Sequence, residues 1–169
     1  QFTDLHFFDT YKDKKGLRDM EFLLDAEKPD LVVMTGDIVY GSIYEKTERG
    51  AAYLKSEYRK VYEPLQKAGV PWAMVLGNHD PDGPCSGEEI IELDMSLEGS
   101  LTKRGPETVY GGVTNYYLGV FAENSTAVRE PSFLLWMFDI TRKDCEGVKG
   151  DDCVATEIVQ WYRNTSAAI

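Results

Sequence analysis

The sequence predicts an α/β fold, in which short strands alternate with longer helices. Two apolar runs of strand length, residues 31–35 and 70–76, are separated by a long segment with apolar residues at helical spacing. Strands and helices that alternate in this order indicate crossover connections and a largely parallel sheet. Polar side chains directly follow both runs. The predicted architecture is therefore layered, with a mixed sheet flanked by helices and polar groups at the strand ends.

The first half of the chain gives the clearer pattern. Residues 1–3 read as the end of a first strand, and the helix that follows stops before Pro29. The apolar face of this helix consists of Leu17, Met20, Leu23 and Leu24. Residues 45–68 predict a long amphipathic helix that ends at Gly69, the residue type that most often closes a helix.

The second half begins after a turn at residues 81–84. Its predicted elements are a helix over 88–97, a loop over 99–112, neighbouring strands over 115–122 and 132–140, and a helix over 156–162. No internal repeat and no linker divides the sequence. We therefore expect residues 1–169 to belong to a single domain.

Composition limits the classes of function. The net charge of −11 argues against nucleic-acid binding through a general basic surface. No apolar run approaches the length of a bilayer span, so no membrane partner is predicted. A small anionic substrate such as a phosphate ester would be repelled by the bare protein, and bound cations would offset that repulsion.

Three short segments contain the residue types that bind metal ions. They are Asp4-Leu5-His6, Gly36-Asp37 and Gly77-Asn78-His79-Asp80. Each follows a strand-like run. In an open α/β sheet the carboxyl ends of the strands border one crevice, so the three segments should converge there.

Each segment has two interpretations, and for Gly77-Asn78-His79-Asp80 the alternative is an ordinary polar turn. Asp4 and His6 flank Leu5, so in an extended segment their side chains point the same way and can hold one ion. The alternative is a capping Asp and a surface His. Asp37 follows a glycine that permits a close backbone approach, and its alternative is a turn-forming Asp.

The order D-x-H, G-D, G-N-H-D resembles the calcineurin-like metallophosphoesterase superfamily. Residues 2–7, residues 35–39 and the ending Trp-Tyr-Arg-Asn-Thr-Ser are similar to its purple-acid-phosphatase-related branch. The resemblance implies a site with two divalent or trivalent metal ions, of which Mn, Zn and Fe all suit the ligands. It further implies that a metal-bridging hydroxide hydrolyses phosphate esters, most simply phosphomonoesters.

The resemblance also implies roles for individual residues. Asp4 and His6 would bind the first metal, Asp37 would bridge both, and Asn78 would offer its carbonyl oxygen to the second. Tyr40 completes a G-D-x-x-Y pattern, which in purple acid phosphatases includes an iron-binding tyrosinate. A loop aromatic is the alternative interpretation of Tyr40.

His79 and Asp80 are the predicted catalytic pair. His79 would stabilise the transition state or protonate the leaving oxygen, and Asp80 would orient it. A further His and a G-H-x-H motif complete the superfamily's site, and neither occurs after His79. We therefore expect the chain to match the N-terminal part of the catalytic domain, truncated on the C-terminal side. The alternative function is a non-catalytic fragment or degenerate homologue with at most one weakly bound metal.

Cysteines and sequons bear on the compartment. A disulfide between Cys145 and Cys153, across the Gly-rich loop that separates them, is sterically easy. Cys85 would then be the unpaired cysteine. Asn124 and Asn164, two of the four asparagines, lie in glycosylation sequons. Both features favour a glycoprotein of the secretory pathway, and free thiols in a cytoplasmic protein are the alternative.

Overall fold

The computed structural model describes residues 1–8, 10–106, 112–121, 130–140, 149 and 153–169. Its main elements are α1 (Tyr11–Glu27), β1 (Val32–Met34), α2 (Glu48–Ala68), β2 (Trp72–Met74), α3 (Gly87–Met95), β3 (Tyr116–Val120), β4 (Phe133–Met137) and α4 (Thr156–Ser166). Single turns of 3-10 helix occupy Gly41–Ile43 and Asp80–Asp82.

The strands of the described residues form two small sheets. β1 and β2 are parallel, with Val32 opposite Trp72 and Met34 opposite Met74. A parallel bridge from Phe2 to Met34 extends this sheet on one side. β3 and β4 are antiparallel and form the second sheet. The mixed α/β class is confirmed, but the strands divide between a parallel and an antiparallel sheet where one mixed sheet was predicted.

The parallel sheet is buried on both faces because alternate side chains point to opposite sides. On one side its residues join the main core formed with the helices, namely Val32, Met34, Trp72 and Met74. On the other side its residues pack against the antiparallel sheet, namely Val33, Ala73 and Val75. Tyr116 links the two sheets directly, since its hydroxyl donates to the Met74 carbonyl at 2.7 Å. The order of layers is therefore helices, parallel sheet and antiparallel sheet.

Helix α4 adds a fourth layer. Trp136 and Phe138, on and just after β4, contact the rings of Trp161 and Tyr162 at centroid distances of 4.7–6.3 Å. Leu135 and Met137 alternate with these two aromatics along the chain and pack towards the other sheet. Within the described residues, no helix is both long and apolar enough for a bilayer span.

Helix α2 confirms the predicted amphipathic pattern. Its buried apolar face includes Leu54, Tyr58, Val61, Tyr62 and Leu65. The helix begins three residues after the predicted start because the Thr47 side chain accepts a hydrogen bond from the Gly50 amide and caps it. Gly69 ends it with φ +67°.

Helix α1 corrects one predicted core residue. Met20 and Leu24 are buried and Leu17 packs against the core, but Leu23 is 43% exposed. The buried stripe of α1 is narrow, and Asp13 occupies its first turn. Leu23 therefore lies on the flank of the helix.

The cysteines differ in state. Cys153 is disulfide-bonded, and Cys85 is a free, buried thiol. Cys145, the predicted partner of Cys153, lies outside the described residues. Among the sequons, Asn164 is exposed on α4 and Asn124 lies outside the described residues. The secretory location stays a prediction.

Candidate metal centre

Backbone pairing brings the first two motifs side by side. The amides of Asp4, His6 and Phe7 donate to the carbonyls of residues 36, 37 and 38 at 3.0–3.1 Å. This ladder continues the parallel sheet beyond β1, at the carboxyl end of the strand. Asp4 and His6 therefore lie directly alongside Asp37. The sequence predicted this convergence because both segments follow strands whose carboxyl ends border one crevice.

Three side chains of these motifs converge. His6 Nε2 lies 3.9 Å from Asp4 Oδ1 and 3.7 Å from Asp37 Oδ2. One ligand atom from each residue lies within 4.8 Å of the others. Donors bound to a common ion at about 2.1 Å are themselves about 3–4 Å apart, so this spacing suits a metal ion. Two carboxylates and one imidazole are also a donor set that Mn, Zn and Fe accept.

The backbone at all three residues is left-handed. Asp4, His6 and Asp37 have φ of +51°, +47° and +52°, and Lys28 is the one other non-glycine residue with positive φ in the described part of the chain. The expectation of an extended Asp4–His6 segment is therefore wrong. The two side chains nevertheless converge, with His6 Nε2 near Asp4 Oδ1. Such strain costs about 1–2 kcal/mol per residue and clusters at functional sites.

Two glycines allow the second and third motifs to touch. A Cβ on Gly36, whose φ is +87°, would overlap the backbone of Gly77. A Cβ on Gly77 would lie 2.7 Å from the Asp37 amide nitrogen. Neither position can accommodate a side chain without moving the other loop. Glycine in both motifs is therefore a packing requirement of the centre.

The third motif completes one side of the centre. The His79 amide donates to Asp37 Oδ1 at 2.9 Å, which fixes one oxygen of that carboxylate and leaves Oδ2 towards His6. Asn78 lines a cavity of about 550 Å³ together with Asp4 and Asp37. The structure thus gathers the four predicted metal ligands at one edge of the sheet.

His79 has a different partner from the one predicted. Its Nδ1 lies 2.7 Å from Asp82 Oδ2, and its ring centroid is 5.9 Å from that of His6. The prediction that Asp80 orients His79 is wrong. Asp82 was missed because an acidic residue after Pro81 reads as part of a polar turn. Its position three residues after His79, within reach across one helical turn, was the available signal.

Asp80 instead lies beneath the loops that contain the ligands. It is fully buried, and its carboxylate accepts from the amides of Asp37 at 2.9 Å, Gly77 at 2.8 Å and Ile38 at 3.2 Å. The Tyr58 hydroxyl donates to the same carboxylate at 2.5 Å. Burial raises the pKa of Asp80, and these four hydrogen bonds oppose the rise.

Tyr40 lies at the rim of the centre. Its ring is edge-on to His6 at a centroid distance of 5.8 Å and to Phe8 at 6.4 Å. Phe8 and Tyr40 are 38% and 37% exposed. These contacts place the Tyr40 ring next to a predicted metal ligand, on an open side of the site.

Known proteins are similar to this chain in sequence. Residues 1–152 match the family model described as calcineurin-like phosphoesterase. Phosphatase DCR2 of Saccharomyces cerevisiae is 36% identical over 109 residues, which cover 63% of this chain and 18% of that protein. Probable inactive purple acid phosphatase 14 of Arabidopsis thaliana is 31% identical over 149 residues, which cover 83% of this chain and 35% of that protein.

A third relative extends the similarity along almost the whole chain. Probable inactive purple acid phosphatase 28 of Arabidopsis thaliana is 26% identical over 171 aligned residues, which cover 94% of this chain and 41% of that protein. The chain therefore spans well under half of the length of these relatives. Its family-model match includes all three motifs of the candidate centre. The chain belongs to the calcineurin-like phosphoesterase family.

Proposed function

We propose that this chain provides metal ligands and a proton donor for the metal-dependent hydrolysis of phosphate monoesters. The convergence of Asp4, His6 and Asp37, with ligand atoms within 4.8 Å of one another, is the observation that supports the proposal best. Membership in a phosphoesterase family gives the reaction type. A small phosphate ester is the proposed substrate.

Each ligand has a proposed role. Asp4 and His6 would hold a first ion, Asp37 would bridge both ions, and Asn78 would contribute to a second. Bound metal ions would polarise the phosphoryl group and make a water molecule acidic enough to attack phosphorus. The ions would be Mn, Zn or Fe. They would also offset the carboxylates of the site, which on their own repel an anionic substrate.

His79 would donate a proton to the leaving oxygen. A carboxylate at Nδ1 keeps a proton on that nitrogen and stabilises the imidazolium, so the proton available for transfer is the one on Nε2. Asp82, 2.7 Å from Nδ1, supports this role. The His79 amide in addition holds Asp37 Oδ1. His79 would thus act as the acid through its side chain and hold the bridging ligand Asp37 through its backbone amide.

A second candidate is a non-catalytic homologue that binds at most one ion weakly. The ligand count favours it, since Asp37 and Asn78 alone would hold the second ion, and two protein donors are few for a tight site. The Arabidopsis relatives with "probable inactive" in their names agree with this candidate. The two candidates differ in metal stoichiometry and in turnover.

Metal titration and hydrolysis separate them. The purified chain is dialysed against metal-free buffer, titrated with Mn²⁺ or Zn²⁺ by calorimetry, and assayed with an aryl phosphate monoester. Asp37→Asn removes the bridging carboxylate, and Asp25→Asn makes the same charge change on the exposed side of α1. We expect Asp37→Asn to weaken binding at least about tenfold, as loss of a charged ligand should, and Asp25→Asn to bind like wild type.

The outcomes point in different directions. Two ions per chain and chelator-sensitive hydrolysis would support the phosphoesterase. One weakly bound ion without hydrolysis would support the non-catalytic candidate. If wild type binds an ion and Asp37→Asn binds it equally well, the ligand role of Asp37 is contradicted under both candidates.

A further inference from the structure

We propose that Tyr58, in helix α2 and outside all three motifs, is a positioning residue for the candidate metal centre. It acts through Asp80, to which its hydroxyl donates at 2.5 Å. The inference rests on the proposed function, because it concerns the geometry of the ligands Asp37 and Asn78. It assigns a role to a residue that its helical spacing identifies only as part of the core.

The Asp80 carboxylate joins two loops. Oδ2 accepts from the Asp37 and Gly77 amides at 2.9 and 2.8 Å, so one oxygen holds the second motif against the third. Oδ1 accepts from the Ile38 amide at 3.2 Å and from the Tyr58 hydroxyl. Hydrogen bonds to a buried carboxylate are strong because no water competes for it. The Asp80 side chain therefore helps to set the separation of the two ligand loops, together with the Gly36–Gly77 approach and the hydrogen bond from the His79 amide to Asp37.

Tyr58 fixes that position relative to the rest of the protein. Three of the four donors to Asp80 are amides of the ligand loops themselves, which could shift together with the carboxylate. Tyr58 belongs to α2, and four further apolar or aromatic residues of this helix are buried with it in the main core. Its ring is buried and close-packed, so the surrounding core restrains its position. The hydroxyl therefore anchors the carboxylate, and through it the Asp37 backbone, to a rigid element.

Tyr62 provides a matched control. It lies one turn further along α2, and both tyrosines are buried in the same core. The Tyr62 hydroxyl donates to Met74 Sδ at 2.9 Å, away from Asp80. Tyr58→Phe and Tyr62→Phe thus remove the same atom from the same face of one helix. Both replacements keep the ring, so both variants are expected to fold.

Amide hydrogen exchange tests the anchor without any metal. In the metal-free chain, we expect the amides of Asp37 and Gly77 to exchange about tenfold faster in Tyr58→Phe than in Tyr62→Phe. The free energies of unfolding of the two variants are measured by urea unfolding, and the exchange rates are corrected for any difference between them. The factor is the one expected for losing a hydrogen bond to a charged group. Calorimetry with Mn²⁺ or Zn²⁺ should show weaker binding, by a similar factor, for Tyr58→Phe alone.

The result has clear alternatives. Equal exchange at these amides in the two variants would overturn the proposal, since Tyr58 would then be ordinary core. Accelerated exchange with unchanged metal affinity would also overturn it, because the anchor would not act on the ligands. If the wild-type chain binds no ion, the proposed metal site fails, and the exchange comparison still decides whether Tyr58 holds the loops.

Discussion

The Nδ1 atom of His79 and the Oδ2 atom of Asp82 lie 2.7 Å apart at the edge of the candidate centre. The pair is local in sequence, since the two residues flank Asp80 and Pro81 in one turn. The Asp80–Asp82 turn of 3-10 helix sets this distance. A carboxylate in this position selects the tautomer with hydrogen on Nδ1.

Replacement of Asp82 should therefore change the tautomer of His79. In Asp82→Ala the proton is expected to redistribute between the two ring nitrogens, because the acceptor at Nδ1 is lost. Nitrogen-15 spectra of histidine-labelled protein at alkaline pH measure this directly, and the chain has only two histidines. His6 serves as the internal control and should keep its shifts. Unchanged His79 shifts would show that Asp82 does not select the tautomer.

Gly36→Ala should disrupt the centre far more than Gly69→Ala. Both glycines have positive φ, +87° and +67°, so each substitution carries the cost of about 1–2 kcal/mol of a left-handed alanine. A Cβ at Gly69 meets nothing within 4 Å, whereas one at Gly36 overlaps Gly77. We expect the free energy of unfolding to fall by at least about 2 kcal/mol more in Gly36→Ala than in Gly69→Ala. Urea unfolding of both variants measures the difference, and equal losses would refute the close approach of the loops.

Three buried tyrosines should make stability fall at alkaline pH. Burial raises the pKa of Tyr58, Tyr62 and Tyr116, with nearby carboxylates adding to the rise. Above pH 10 the unfolded chain loses protons that the folded chain keeps, so stability is intact below pH 10 and declines as pH rises further. Each tyrosine contributes about 1.4 kcal/mol per pH unit.

Urea unfolding at a series of pH values measures this slope. Tyr62→Phe should make it shallower, because one buried phenol is gone. Tyr11→Phe, which changes a ring that is 80% exposed, is the control and should keep the wild-type slope. A flat profile above pH 10 would contradict the prediction.

Asp139 should be important for the attachment of the antiparallel sheet to the parallel sheet. Its Oδ2 accepts from the amides of Val113 and Thr114 and from the Thr114 hydroxyl at 2.8–3.1 Å, and both bonds from Thr114 are buried. Thr114 Oγ1 in turn accepts from the Leu76 amide at 3.2 Å, next to the third motif.

Asp139→Ala leaves buried donors without an acceptor, so we expect a loss of about 2–4 kcal/mol in the free energy of unfolding. Glu130→Ala, an exposed acidic residue before β4, should change it by less than about 0.5 kcal/mol. Thermal unfolding of the two variants gives the comparison. Losses of similar size would argue against a special role for Asp139.

The sequence predicted those parts of the molecule that depend on local pattern. The buried face of α2 follows from its apolar spacing, and the meeting of Asp4, His6 and Asp37 follows from their location at strand ends. Contacts between distant elements were not predictable. The Tyr58 hydroxyl reaches Asp80 because α2 packs over the third motif. The helical spacing of apolar residues in α2 does not predict that contact. For the same reason, the division of the strands into two sheets depends on tertiary packing that spacing does not encode.

The left-handed backbone of Asp4, His6 and Asp37 has a consequence for laboratory evolution. Glycine adopts this conformation without steric cost, and asparagine tolerates it better than most residues. A library of this chain selected for thermal stability alone should therefore enrich glycine or asparagine at positions 4 and 6, and asparagine at position 37, where an amide oxygen can still accept from the His79 amide. Each such replacement would remove a carboxylate or imidazole from the candidate ligand set. Selection for metal retention should restore the original residues. In this chain the most heat-resistant sequence and the best metal binder are expected to be different molecules.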